Sequence, residues 1–205
     1  MKETVRAYDL DAGAYADASP VVPDSVRGDM EDLAARLGPG ARVLEIGSGG
    51  GRDALLLEQL GLAVRRTDVT PGFVALLRER GHEADVLDPL VDDLTSAEGP
   101  YDGVWANASL LHVARTDLPV VLARLAVATR PGGLLRASLK EGDGDGWSTH
   151  GAVRNPRHFT YWRAGPLHAV VEGAGWDDVV VRTGIPGRRQ ESWLEVSAVR
   201  GTVAP

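Results

Sequence analysis

The chain contains no cysteine. Disulfides, thiolate metal sites and cysteine nucleophiles are therefore excluded. Lysine is nearly absent: Lys2 and Lys140 are the only two, so arginine supplies almost all the positive charge. Positive charge is itself in the minority, and the formal net charge is −7. An acidic surface repels phosphate backbones, which argues against a nucleic-acid partner. No apolar run approaches the ~18 residues of a membrane span. The opening Met1-Lys2-Glu3-Thr4 has none of the apolar core of a secretory leader. A cytoplasmic protein without a membrane partner is the expectation. The histidines are scattered and no carboxylate cluster stands out, so no metal site is expected.

What is present is the composition of an ordinary globular protein, 43% hydrophobic and 25% charged. At 205 residues the chain can bury one good-sized core, and one domain over 1–205 is expected. Residues 1–38 read as an N-terminal helical cap broken by Pro20 and Pro23. Asp24 is a plausible N-cap for a helix ending at Leu37 before Gly38-Pro39-Gly40. From 39 to 140 strands and helices alternate. Strands are predicted at 43–46, 63–68, 82–86, 101–106 and 134–139, with helices between most of them. The helix over 117–130 should stop at Pro131-Gly132-Gly133. A polar, glycine-rich stretch over 141–160 reads as a mobile loop. A last helix over 162–174, interrupted early by Pro166, and strands over 178–183 and 193–200 complete the segment 161–205.

Alternating βα units imply a parallel sheet with helices on both faces. Two terminal strands with no helix between them must be antiparallel neighbours. The expected fold is α/β: a Rossmann-like, seven-stranded, mostly parallel sheet closed by a C-terminal antiparallel β-hairpin.

The chemistry concentrates at Glu45-Ile46-Gly47-Ser48-Gly49-Gly50-Gly51-Arg52. A buried strand runs into a glycine turn and then into a helix, while a second acid, Asp68, ends the next apolar strand. That layout suits a nucleotide-like cofactor on a Rossmann-like sheet. Glycines after the strand let the backbone approach a ligand closely. Amides at the helix N-terminus suit an anion. Glu45 on a buried strand end costs several kcal/mol, on the order of magnitude of any buried charge, unless it is paired. A dinucleotide dehydrogenase needs a third glycine that, counted from Gly47, falls on Arg52, where a side chain spoils helix–strand packing.

On these residues the chain resembles the class I S-adenosylmethionine-dependent methyltransferases of the small-molecule type. Glu45 to Gly51 resembles that family's acidic-x-Gly-x-Gly-x-Gly motif. Tyr101 to Ala106 with Ala108-Ser109-Leu110-Leu111-His112 is similar to its fourth strand and following turn. Arg130-Pro131-Gly132-Gly133 resembles its turn before strand five, and Gly173-Ala174-Gly175-Trp176 its approach to strand six. The resemblance covers about 8–200. It implies S-adenosyl-L-methionine as cofactor, leaving as S-adenosyl-L-homocysteine, with contacts at Glu45, Gly47, Ser48, Gly49, Gly51, Arg52, Asp68, Val69, Asp85, Val86 and Ala106. Asp68 would take the ribose hydroxyls, although it could instead cap a helix. Asp85 would take the adenine amino group, with Asp88 as a rival. Arg52 would meet the cofactor carboxylate or pair with a nearby acid.

A base is needed only if the acceptor is protonated. His112, after strand four, is a candidate base or acceptor-orienting group, and packing or capping is its other reading. Tyr8-Asp9 and Ala14-Tyr15 resemble a Tyr-Asp-x-x-Ala-x-x-Tyr opening with slightly longer spacing. Tyr15 is a catalytic candidate and Tyr8 a substrate contact, with plain packing open for both. Arg154, Arg157 and His158, and Arg188 and Arg189 in the terminal hairpin turn, suggest a carboxylate or phosphate on the acceptor, or are simply solvated. Arg157, Tyr161 and Arg188 join Tyr8 as substrate contacts. The partner expected is a small molecule carrying the accepting O, N or S; the protein itself would be a monomer or homodimer. An NAD(P)-dependent oxidoreductase and a non-catalytic methyltransferase-like scaffold are the competing readings.

Overall fold

Where helices cover both sides of a sheet, its central strands are buried on both faces, as residues 43–46 and 103–106 are here. The computed structural model, which describes residues 2–149, 153–186 and 192–202, shows this directly. Helices α1 (Lys2–Leu10), α2 (Ala12–Ala18) and α3 (Asp24–Leu37) precede β1 (Arg42–Ile46). Then come α4 (Arg52–Gln59), β2 (Ala63–Asp68), α5 (Pro71–Glu79), β3 (Asp85–Val86) and β4 (Tyr101–Ala106). After a short 3₁₀ turn at Leu110–His112 come α6 (Leu118–Ala128), β5 (Thr129–Lys140), β6 (Asp145–Ser148) and β7 (Arg157–Thr160). Helix α7 (Ala164–Gly173) and strands β8 (Trp176–Pro186) and β9 (Ser192–Arg200) complete the described elements.

The main sheet has seven strands in the order β3-β2-β1-β4-β5-β9-β8. The first five are parallel, and β9 is antiparallel to both β5 and β8. This is the expected fold class, hairpin included. Strand order reverses between β1 and β4, so a crevice opens beyond their carboxyl ends, where α/β sheets bind ligands. One face buries Leu44, Val104, Leu118, Leu125 and Trp176, and the other buries Leu33, Val43, Leu57 and Trp105. Trp176 is fully buried and its indole N–H donates to the Leu122 carbonyl at 3.1 Å, so its one polar atom is satisfied.

Three expectations need correction. The stretch over 141–160 is not a structureless loop, because β6 and β7 pair antiparallel from Asp145↔Thr160 to Ser148↔Arg157. Pro166 does not interrupt α7: it falls in the first turn, where the amide it lacks has no intrahelical partner anyway. Helix α6 ends at Ala128, and the Pro131-Gly132-Gly133 turn is an irregularity within β5, whose register shifts between Tyr101↔Thr129 and Gly103↔Leu134. Among the described residues no helix is long and apolar enough to cross a membrane.

Candidate functional site

The glycine run forms the floor of the crevice. Gly47, Gly49 and Gly51 all have positive φ (80°, 53° and 85°), a conformation that side chains rarely adopt. A Cβ on Gly47 would collide with Ser109, and one on Gly51 would meet the Leu77 side chain at 2.5 Å. Gly51, one residue before Arg52, is thus the point of close helix packing. The amides of Gly47 and Ser48 both donate to the Thr67 carbonyl at 2.9 Å, which ties the turn to β2.

Asp68 ends β2 at 6% exposure. Its two oxygens accept from the amides of Gly49 (2.9 Å) and Thr70 (2.8 Å). Burial raises its pKa, and those hydrogen bonds oppose the rise. The carboxylate therefore both organises the turn and faces the cavity.

Glu45 is buried beneath the floor, and the Ser48 hydroxyl donates to it. Burial, followed by repulsion from Asp53, pushes its pKa up to about 8. The unfolded chain ionises this acid near its ordinary value of 4.5. Its contribution to stability is therefore full below about 4.5 and is lost as pH rises toward about 8. Glu45→Gln should raise the melting temperature at pH ~8, with the gain vanishing toward pH ~5, as thermal melts across that range will show.

Beyond β4 the chain turns sharply at Asn107-Ala108-Ser109, with Ala108 at φ 53°. Side chains set this turn. Ser138 Oγ donates to Asn107 Oδ1 (2.6 Å) and accepts from the Ala108 amide (2.9 Å). Asn107 Nδ2 donates to Asp53 (2.8 Å), which also accepts from the Trp105 indole (3.1 Å) and Arg52 Nε (3.0 Å).

Helices α1 and α2 lie over the crevice. Asp9 accepts from the Gly72 amide (2.6 Å), Asp11 from the Arg154 amide (2.8 Å), and Thr4 Oγ1 from the His158 amide (3.0 Å). Tyr8, Tyr15 and Phe73 form a mutual cluster with ring centres 5.5 to 5.9 Å apart. His112 Nδ1 lies 2.6 Å from the His158 carbonyl, which can only accept, so Nδ1 carries the hydrogen. Nε2 then accepts from the Tyr8 hydroxyl at 2.9 Å. Burial leads in pushing the His112 pKa down to about 4, and it leads in pushing Tyr8 up to about 12. Both groups are uncharged at neutral pH.

Two adjoining cavities result. One of about 100 Å³ is lined by Tyr8, Tyr15, Gly47, Gly49, Asp68, Val69, Leu110 and His112. The other, of about 360 Å³, is lined by Tyr15, Gly47, Ser48, Gly49, Arg52 and Asn107. An acid beside apolar walls in the first, and an arginine with exposed turn backbone in the second, suit a nucleoside joined to an amino-acid tail. The cradle holds only while Gly47 and Gly49 lack side chains.

Other expected contacts fall elsewhere. Asp85 is not at the cavity: Arg65 Nε holds it at 2.9 Å on the sheet's outer edge, and Val86 is exposed. Leu87 and Pro89 line the cavity instead. Asp88 turns back to accept from the Leu90 amide. Ala106 is fully buried in the core, and the residues just after it reach the site. Arg52 reaches the second cavity but pairs with Asp53. Arg157 is buried behind Tyr8, with Nη1 donating to the Tyr8 hydroxyl at 3.3 Å. Tyr161 lines neither cavity, and its carbonyl accepts from Arg115. Arg154 is exposed and pairs with Asp11. Arg188 and Arg189 lie outside the described residues. Sequence reasoning missed Asp53 and Asn107. An acid in the first turn of a helix reads as ordinary dipole stabilisation, so Asp53 carried no distinguishing signal. Among the described residues no group of three or more His, Asp or Glu could hold a metal ion.

Residues 44–137 match the family model described as a methyltransferase domain. A ubiquinone biosynthesis O-methyltransferase from Xanthomonas axonopodis pv. citri is 35% identical over 112 residues, 52% of this chain and 46% of that protein. The chain spans about half the length of the curated relatives it matches. Among solved structures, the DhpI–SAH complex superposes with a TM-score of 0.76 at 22% identity, covering 98% of this chain and 97% of that one. The Burkholderia thailandensis 1,6-didemethyltoxoflavin-N1-methyltransferase, with bound 1,6-didemethyltoxoflavin and S-adenosylhomocysteine, gives 0.71 at 22% identity, covering 96% and 88%. At these identities the likeness is one of fold.

Proposed function

We propose that the chain, which matches a methyltransferase domain over residues 44–137, is a class I S-adenosylmethionine-dependent methyltransferase that transfers a methyl group from S-adenosylmethionine to an oxygen, nitrogen or sulfur of a small metabolite. The observation that carries this reading is the continuous path from Asp68, across Gly47 and Gly49, to Arg52 and Asn107 beneath a tyrosine lid. Its acid and apolar walls suit an adenosine at one end, and Arg52 with the exposed turn backbone suits a methionine tail at the other.

The cofactor supplies a methyl group already activated on a sulfonium. The chain's own work is alignment and exclusion of water. Asp68 accepts hydrogen bonds from the ribose hydroxyls. Val69, Leu87, Leu110 and Val113 bound the flat base. Ser48 and Arg52 answer the polar methionine end, while Glu45 lines neither cavity and acts from beneath by holding the Ser48 hydroxyl. Tyr8, Tyr15 and Phe73 close the space above, and His112, which lines the same cavity, holds the Tyr8 hydroxyl in place through Nε2. No nucleic-acid or membrane partner belongs to this reading.

Calorimetry separates the alternatives. S-Adenosylhomocysteine should bind with a Kd in the micromolar range, about −8 kcal/mol, and NAD should give no heat. Binding of NAD alone would sink the proposal in favour of an oxidoreductase. Cofactor binding with no methyl transfer to any member of a broad acceptor panel would leave a scaffold.

A further inference from the structure

We infer that the methyl acceptor is a flat molecule that carries hydrogen-bond donors and no negative charge, and that it sits between α3 and the sheet. This rests on the methyl-transfer reading above and names the substrate class of that site. A third cavity, of about 310 Å³, lies on this face. At the lower end of the ~300–1,000 Å³ of ligand pockets, it suits a small ring system. Its apolar walls include Val26 of α3, Trp105 of β4, Ala137 of β5 and Trp193 of β9. Indole walls favour a flat ring that can stack on them.

Shared residues place this cavity against the methyl donor. In the reading above the first cavity takes the nucleoside and the second the methionine tail, so the sulfur joining them lies where the two meet. Tyr15 and Ala108 line both of those cavities, and they line the third as well. An acceptor in the third cavity therefore abuts the sulfonium beside Tyr15 and Ala108. Its accepting atom uses a lone pair to form the bond to the methyl carbon. The C–S electron pair leaves with sulfur as a thioether, and the proton then carried by the accepting atom passes to water. His112 lines the first cavity and not the third, so it does not face this acceptor.

The polar lining sets the charge and the hydrogen bonding. Both arginines that line the cavity are already paired, Arg52 with Asp53 and Arg136 with Asp32. The Asn107 amide is spent on Asp53, and the Ser138 hydroxyl donates to Asn107. The two acids of the lining, Asp29 and Glu195, have one cation between them. That cation is Arg182 of β8, which is 55% exposed, lies outside the lining and binds both. The two carboxyl groups also meet each other, and burial, followed by repulsion from Asp29, raises the pKa of Glu195. Each carboxylate has about four lone-pair positions, more than one guanidinium fills. Glu195 pairs in register with Ser138, whose Oγ holds the Ala108 amide, so the acids stand about 5 Å, one strand spacing, beyond the turn. The far wall thus has acceptors to spare. Ligand N–H or O–H groups satisfy them, whereas an anion meets two acids with the arginines of the lining already committed.

The test uses the full chain saturated with S-adenosylhomocysteine, whose own binding is measured first. Absence of that binding defeats the methyl-transfer reading, a result distinct from any failure in the acceptor titrations. The loaded protein is then titrated at neutral pH with four probes, followed by ligand-observed NMR. Benzamide is flat, uncharged and a donor; methyl benzoate lacks the donor, cyclohexanecarboxamide lacks the flat ring, and benzoate is an anion. Benzamide should bind about tenfold or more tighter than benzoate, the scale of a hydrogen bond to a charged group. It should bind about threefold or more tighter than the other two. Ser25 is exposed at the cavity's rim. Ser25→Trp should therefore block entry and cut benzamide affinity about tenfold while S-adenosylhomocysteine affinity is kept, on the scale of lost ring contacts. Trp193→Ala should weaken benzamide as well, and Glu195→Gln should narrow its advantage over benzoate. Benzoate binding as tightly as benzamide, absence of benzamide binding, or benzamide affinity unchanged in both Ser25→Trp and Trp193→Ala would overturn the proposal.

Discussion

Asp68→Ala should weaken S-adenosylhomocysteine binding by about 30-fold or more, equivalent to ~2 kcal/mol. Two losses combine. A charged acceptor for the ribose hydroxyls disappears from a site sheltered from water, where such bonds are worth roughly 1.5–3 kcal/mol. The Gly49 and Thr70 amides also lose the carboxylate that holds them, and Gly49 is the part of the floor nearest Tyr15. Asp68→Asn separates the contributions, because an amide oxygen still accepts but the charge is gone, and an intermediate loss is expected. Calorimetry on variants with native circular dichroism measures the effect. Affinity unchanged in Asp68→Ala would remove Asp68 from the cofactor site.

Asp53→Ala should cost about 3 kcal/mol or more of stability, among the larger single-residue effects in the chain. Three donors converge on this 7%-exposed carboxylate: the Trp105 indole, Asn107 Nδ2 and Arg52 Nε. Removing it leaves a guanidinium with less compensation and an indole N–H with no acceptor in a buried setting. The loss reaches the site through Asn107, whose amide fixes the turn at Ala108 together with Ser138. Asp53→Asn should be only a partial remedy, since its NH₂ would face donors. Urea denaturation gives the stability change; a midpoint within error of the wild type would show that the network carries no weight. Cofactor affinity should fall as well, because the turn lines the second cavity.

Much of the fold was legible because its signals are local. Apolar runs mark β1 and β4, and two strands without an intervening helix require the antiparallel ending. Pro166 misled because proline breaks helix interiors but is accepted in a first turn, and only the true start at Ala164 distinguishes the two. The pairing of β6 with β7 was hidden because a short two-stranded unit has no long apolar alternation of its own. In the site, Gly47, Gly49 and Asp68 were readable because backbone conformation and strand ends dictate them. Asp85 was misjudged because a two-residue strand gives no indication of which way its side chain leaves the sheet.

By itself the sequence determined the βα alternation, the glycine turn after β1 and an acid at the end of β2, because each arises from short-range sterics and the period of apolar residues. Only the tertiary structure decided which polar groups meet. Tyr8 with His112, His112 with the His158 carbonyl, and Asp53 with Trp105 lie 104, 46 and 52 residues apart along the chain. No local pattern can encode such pairs, because packing of α1 and β7 against the crevice joins the first two and packing of α4 against β4 the third. The same packing buries Arg157 and Lys140 around Phe159.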